Sequence, residues 1–496
     1  MKQRIRFPRA PALVLSATCS FLTVLGGCAS SAGIAPLARP IAPISVGLGN
    51  GSDEVMAHAA TSVLETEWWL AFGDAALNDL IERALAGSPN LKTAQARLTH
   101  AQAAVAGARA IDGPQVSGSL EVTRQRFSAN SIYPPPLGGS TRTLGTMQMG
   151  AAWEIDVFGQ NRELIEAAVG AERAMLADYQ AARILLAGSV ARTYVQLGRL
   201  LEQREVAKRS LSLNDEALTL IRQRVRNGLD TVFEQRQGER AVPESLGQIE
   251  QLDEQITLTR HALAAFTAQK PDAFDALAVS QKAQSLPLPT AIPMDLIGRR
   301  ADITAARWRI EAATSDVKGA KAQFYPNINL TAFVGLSSIG LDNLMKTTSE
   351  NYGAGPAVRL PIFDSGRLRA NLHLKTADLD TAIERYNSLV LEAVHDVADQ
   401  ISSLRSIERQ QIQQVRAQAA AESAYEIATQ RYRAGLGNYF LVLNAEAAVL
   451  QQRRQAAELK ARSLDLQILL IGSLGGGYAA DPELAKHLAS NPRAPS

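Results

Sequence analysis

The chain has 496 residues, with 51 Lys and Arg against 49 Asp and Glu, six His and two Cys. So even a charge balance offers no basic surface for nucleic acid, and the scattered histidines have no metal-ligand spacing. Beyond the first 27 residues no apolar run is long enough for a membrane-spanning helix.

The N-terminus carries Lys2, Arg4, Arg6 and Arg9, then a mostly apolar stretch from Ala12 to Leu25. This is the pattern of a secretory signal peptide, residues 1–27. It ends Leu25-Gly26-Gly27-Cys28, which resembles the bacterial lipobox. That resemblance implies cleavage before Cys28 and acylation of its thiol; no other cofactor is expected. Ala29 implies, by the same resemblance, delivery to the outer membrane. The competing reading is an ordinary signal peptide with a chance cysteine. Cys28 sits where cleavage should fall, Cys19 would be removed with the leader, and no cysteine follows. Residues 28–66 then read as a lipidated tether, rich in Pro, Gly, Ser and Ala and without a period.

The remainder is duplicated. Phe158-Gly-Gln-Asn-Arg162 returns 205 residues later as Phe363-Asp-Ser-Gly-Arg367, and Arg224-Val-Arg-Asn-Gly-Leu229 returns 207 residues later as Arg431-Tyr-Arg-Ala-Gly-Leu436. Pro114 and Pro326 add a third landmark in the same order. The first repeat covers residues 67–270, a connector 271–300, the second repeat 301–474, and a tail 475–496.

In chain order, each repeat predicts a shorter helix, two strands and a long helical hairpin. The short helices are predicted at 75–110 and 303–323. The long helices are predicted at 160–226 and 365–433, each about 100 Å if unbroken. Val390, Val394, Val397, Ile401 and Leu404 recur at spacings of three and four, a narrow coiled-coil seam. Glycine turns at Asn227-Gly228 and Ala434-Gly435 lead into return helices at 230–269 and 438–474, with Pro243 a kink or break in the first. The clusters Gly435-Leu-Gly437 and Gly475-Gly-Gly477 read as helix ends rather than phosphate cradles. No nucleophile elbow, P-loop or dinucleotide fingerprint occurs, and no enzyme is expected.

Between the short and long helices the period becomes two. Apolar residues alternate in 145–157 (Met147, Met149, Ala151, Trp153, Ile155), in 328–336, in 352–362 and more weakly in 116–122. Each strand has one apolar and one polar face, the pattern of a transmembrane β-barrel. A half-buried soluble sheet has the same pattern, and periodicity alone leaves the two even; the leader and lipobox favour the membrane. Trp153 and Val358 are expected on the lipid face, with Val358 taken as a midplane position, and Gln148 and Glu154 on the lumen face. Four strands cannot close a barrel, so membrane insertion requires assembly. Residues 127–142, with Tyr133-Pro-Pro-Pro136, are expected as an exposed loop.

The chain resembles the outer-membrane factor family of TolC and OprM, in its lipoprotein, NodT-like branch. The resemblance rests on Trp68-Trp69, Phe72-Gly-Asp74, Ile292-Pro293, Leu296-Ile297-Gly-Arg-Arg-Ala-Asp302-Ile303, Phe363-Asp364-Ser-Gly-Arg367, Arg431-Tyr-Arg-Ala-Gly435 and Leu474-Gly-Gly-Gly-Tyr478. The family usually has Pro where Ala301 stands. The resemblance implies an α+β membrane protein: a homotrimer with a 12-stranded β-barrel, four strands per chain, continued by a periplasmic α-helical coiled-coil barrel. It implies a passive exit duct for drugs or other small toxic compounds, working with a periplasmic adaptor protein and an inner-membrane pump. An exit channel for type I polypeptide secretion is the alternative, and a non-channel lipoprotein spacer is a third reading. It further implies that Gly228, Leu229, Gly435 and Leu436 form adaptor-docking tips. Tyr432, Phe440, Leu441 and Asn444 would lie at the periplasmic constriction. Many relatives carry aspartate where this chain has Asn444, so an acidic cation-binding ring is not expected here. A core-facing Tyr432 is an equal alternative.

Overall fold

The computed structural model describes residues 30–41, 66–279 and 300–478. The leader, Cys28, the connector motif up to Arg299 and the tail after Tyr478 lie outside these residues. A short 3-10 turn (Trp68–Phe72) is followed by α1 (Ala75–Gly87), α2 (Pro89–Ile111), β1 (Gln115–Arg126), β2 (Thr141–Ile155), α3 (Gln160–Arg226) and α4 (Val232–Phe266). The second repeat gives α5 (Ala301–Ala322), β3 (Asn327–Ile339), β4 (Glu350–Arg359), α6 (Arg367–Arg433) and α7 (Tyr439–Ser473). The two long helices are of equal length, 67 residues each.

Three differences from the sequence expectation have a clear structural form. The helix predicted at 75–110 is two helices. Ser88 takes an extended ψ of 121°, because the ring of Pro89 disfavours helical geometry in the residue before it. Pro89 then opens α2, where its missing N–H costs nothing. Conversely, α4 runs through Pro243 without a break. The strand expected at 352–362 extends only to Arg359, so Leu360, Pro361 and Ile362 lie beyond β4.

Two compact units divide the described chain, and each draws on both repeats. One takes the residues up to Pro40, Leu98–Ala174 and Ala306–Arg385. The other takes Ile41–Arg97, Met175–Ala305 and the chain from Tyr386 onward.

The first unit holds the sheet. Its strands run in sequence order, β1-β2-β3-β4, all antiparallel. The register aligns the apolar alternation of every strand on one face. Leu120, Met147 and Leu336 form one row; Met149, Val334 and Tyr352 the next; then Val116, Ala151, Ala332 and Ala354; then Trp153, Leu330 and Pro356; then Ile155, Ile328 and Val358. Val334 is 60% exposed, Leu120 69% and Tyr352 78%. The opposite face carries Ser119, Gln148 and Asn351 in one row, and Glu154 beside Asn329 in another. Glu154 accepts a hydrogen bond from Asn327 at 2.6 Å. Large apolar residues on this polar face are Leu144 and Ile339, paired at its far end, and Phe333, whose ring lies across Gly353. A Cβ there would stand 2.8 Å from the ring, so the crossing needs glycine. Loop 127–140 is exposed over residues 128–136 and is anchored at its start, where the buried Phe127 meets Tyr133 edge-on at 5.0 Å.

Also in this unit, α3 approaches α5 at Gly170, where a Cβ would stand 3.0 Å from Ala312. The N-terminal strap lies along α6. Ile34 is buried with Leu372, Leu379 and Ile383. Asp380 accepts from the Leu37 and Ala38 N–H groups at 2.9 Å each, and Arg369 donates to the carbonyls of Ser30 and Ala32.

The second unit is helical. Its core joins Trp68, Trp69, Phe72 and the apolar face of α1 to Val190, Tyr194, Leu197 and Leu263. Asp74 caps α1 through the Ala76 N–H and accepts the Tyr194 hydroxyl at 2.8 Å. Contacts Arg204–Asp253, Asn214–Ser245 and Arg222–Glu239 show α3 and α4 antiparallel. Contacts Arg192–Asp465, Arg199–Glu458 and Arg209–Glu446 set α7 antiparallel to α3. The predicted seam is buried: Val390, Val394, Val397 and Leu404 are nearly inaccessible, and Ile401 packs beside them.

Candidate functional site

The hairpin turns are built twice by the same rule. At the end of α3, Gly228 has φ +70°. Its N–H donates to the Val225 carbonyl at 3.0 Å, and the Leu229 N–H donates to the Arg224 carbonyl at 2.8 Å. At the end of α6, Gly435 has φ +73°; its N–H donates to Tyr432 and that of Leu436 to Arg431, at the same distances. This is the Schellman ending, and its left-handed residue favours glycine. The motif normally lets the residue after glycine pack on the last helical turn. That turn offers arginine here, and the leucines stay out: Leu229 is 64% exposed and Leu436 71%.

The return helices start from capped turns. Thr231 and Glu234 form a reciprocal capping box at the start of α4. Asn438 accepts the Leu441 N–H at 3.1 Å at the start of α7. Just inside these caps lie Val232 and Phe233 in the first tip and Phe440 and Leu441 in the second, all exposed. Val232 and Phe233 were not singled out from the sequence. Their signal was available: Phe233 and Phe440 stand at equivalent places in the two repeats, five residues after the paired glycines.

The tips differ in one ion pair. In the first, Arg224 grips Asp230 with two bonds, 2.7 Å and 2.9 Å. The arginine holds the Asp230 carboxyl below its ordinary range and is itself raised by the carboxylate. In the second tip Gly437 occupies the place of Asp230.

The residues expected at the constriction fall together beside the second turn. Tyr432 is 45% exposed in the single chain. Its ring lies 5.2 Å from that of Tyr439. Phe440, Leu441 and Asn444 are exposed on the first turns of α7, while Val442 and Leu443 are buried. A network unseen in the sequence ties α7 to α3 nearby. The Tyr439 hydroxyl donates to Glu216 at 2.8 Å, and Arg209 donates to Glu446 at 2.7 Å. Hydrogen bonding to Glu216 raises the Tyr439 hydroxyl above its ordinary value. These partners are more than 200 residues apart in sequence.

The other site is the sheet itself. Its apolar face is continuous across four strands, and β1 and β4 each have a neighbour on one side only. Near one end, Phe158 stacks on Tyr325 at 5.0 Å. Phe363 is exposed, and the Trp153 indole N–H, exposed in part, donates to the Asp112 carbonyl. Half-exposed aromatics flanking an apolar band are the arrangement found where a barrel wall meets lipid headgroups.

The chain matches the outer membrane efflux protein family over residues 80–269 and 292–476. It is 32% identical over 428 residues to the multidrug resistance outer membrane protein MdtQ of Escherichia coli O6:H1, covering 84% of this chain and 88% of that one. It is 31% identical over 481 residues to the multidrug resistance outer membrane protein MdtP of the same strain, covering 94% and 98%. Among solved structures it superposes on the outer membrane protein VceC of Vibrio cholerae with a TM-score of 0.76 and 34% identity, covering 84% of this chain and all of that one. With an apolar-faced sheet, paired helical hairpins and these relatives, the chain belongs to the outer membrane efflux protein family and is an outer-membrane efflux channel subunit.

Proposed function

We propose that three copies of this chain form one duct that carries drugs or other small toxic compounds outward, fed by an inner-membrane pump through a periplasmic adaptor. The observation that carries the reading is the open four-stranded sheet with one unbroken apolar face. In lipid its edge amides have no water to bond, so the sheet is complete only when the edges of several copies meet. The cargo class is supported by the names of the relatives, which are multidrug resistance proteins. The adaptor end is assigned to the two tips, where Leu229, Val232 and Phe233 and then Leu436, Phe440 and Leu441 expose apolar surface that a turn in water has no use for.

The anchor belongs to the same reading. Ser30 is held by Arg369, near the start of α6, and α6 follows β4 by a short turn. Cys28 is two residues earlier in the chain, outside the described residues; a lipid on it would anchor the chain in the outer membrane.

Leu229→Asp with Leu436→Asp tests the docking end. A charge in a desolvated contact is costly, and these turns bear no load in the sheet. The double variant should reach the outer membrane as normal assembled protein yet give no drug resistance above a deletion strain. Full resistance would overturn the tip assignment.

A further inference from the structure

We propose that the second hairpin tip is a socket for a carboxylate presented by the periplasmic adaptor, with Arg431 as the receiving group; the inference rests on the adaptor-docking reading above. The first tip is the template. There the same turn, with the same two backbone bonds, places Arg224 against Asp230 through two hydrogen bonds of 2.7 Å and 2.9 Å. In the second tip the arginine is kept and the carboxylate is gone. Arg431 is exposed, with no ion pair or side-chain hydrogen bond among the described residues.

Gly437 is not there for backbone reasons. It lies outside the positive-φ glycines, and a Cβ on it would make only ordinary contact, 3.6 Å from the Arg431 Cβ. What the glycine supplies is the empty volume that Asp230 fills in the first tip. The surrounding charge agrees: residues 427–445, between Glu426 and Glu446, contain two arginines and no carboxylate, so nothing in this turn takes the place of Asp230. Exposed Leu436, Phe440 and Leu441 rim the position, and apolar surroundings strengthen a charge-assisted bidentate bond once water is excluded. Its empty volume, at Gly437, lies in the turn past the last residue of α6 and before the first of α7, and Arg431 reaches it from the last turn of α6. That placement suits a partner meeting the helix ends rather than a second copy packed along the helices. Two tips of one hairpin pair would then differ in kind: the first closed on its own carboxylate, the second open for a partner's.

The test fills the socket from within. In the native host, lacking its own copy, the plasmid-borne full chain carries Gly437→Asp, Gly437→Asn, Gly437→Ala or Arg431→Gln. Gly437→Asp should rebuild the pair seen in the first tip and exclude the partner. It should lower the minimal inhibitory concentration of an exported drug about tenfold, the scale of losing one docked charge pair. Arg431→Gln should do the same, and the two changes combined should add nothing. Gly437→Asn has the same size without the charge, and it should stay within about twofold of wild type, as should Gly437→Ala. Assembled trimer on native gels should be unchanged throughout. Wild-type resistance in Gly437→Asp, equal damage by Gly437→Asn, or loss of trimer in Arg431→Gln would each overturn the socket; the last would mean that a second copy supplies the carboxylate. If Leu229→Asp with Leu436→Asp abolishes resistance while Gly437→Asp does not, the socket fails and tip docking stands. If neither does, the docking reading itself fails.

Discussion

Val334 is the position at which the lipid-facing sheet can be tested most sharply. It is 60% exposed and sits mid-strand, between Met149 and Tyr352. Val358, which the sequence reading takes as the midplane position, pairs instead with Ile328 at the end of β3, next to the exposed aromatics. Val334 lies six residues along β3 from Ile328. At about 3.4 Å per residue, and with the ~40° tilt of barrel strands, that is roughly 15 Å of depth, about half the apolar band. An arginine costs about 2–4 kcal/mol at the midplane and about 0–1 kcal/mol near the interface. Val334→Arg should therefore deplete assembled protein in the outer membrane, with the cost incurred once in every copy, while Val358→Arg should be nearly silent. Gln148→Arg lies at almost the same depth on the opposite face, and it should leave assembly intact while changing single-channel conductance. The assay is the ratio of assembled to unassembled protein in isolated outer membranes, followed by planar-bilayer recording. Equal loss at Val334 and Gln148 would mean that the two faces meet the same medium. Equal loss at Val334 and Val358 would mean that the sheet does not cross the bilayer in this orientation.

Two further outcomes follow from residues already placed. Metabolic labelling with a palmitate analogue should mark the wild type and not Cys28→Ser, and label persisting in the variant would refute lipidation there; the barrel should still hold the variant in the membrane. Asn444 is exposed on the first turns of α7 and carries no charge, so hexaamminecobalt added on the periplasmic side should block the wild-type channel weakly. Asn444→Asp should introduce a strong block that fades as pH falls through the carboxylate range, because protonation removes the attracting charge. Strong block of the wild type would place the constriction on some other, acidic ring.

Much of this fold was written in periods. The two long helices contain no proline, the strands alternate with period two, and the duplicated Arg-x-Arg-x-Gly-Leu turns mark where each hairpin reverses. Those features are local, and local rules find them. The break at Ser88 was local too, and was missed because a proline near a helix start can be read as part of one longer helix. What periodicity could not supply was depth: Trp153, Val334 and Val358 share a face, and only the strand register separates a midplane position from an interfacial one. Nor could it supply partners across helices. Tyr439 and Glu216 belong to different repeats, and nothing near either residue says that they meet.

The tips show the same limit from the other side. In sequence, Asp230 and Gly437 look like interchangeable turn residues, since both suit a helix boundary. Only when Asp230 is seen gripping Arg224 does its absence from the second turn become chemistry rather than drift. A duplication keeps a scaffold where packing demands it, as at Gly228 and Gly435, whose backbones need the left-handed region. Where no such demand exists, the two copies are free to diverge, and Gly437 is such a place. The divergence leaves an arginine held in a turn that no longer supplies its carboxylate, so the functional difference between the hairpins lies in a residue that the second one lacks.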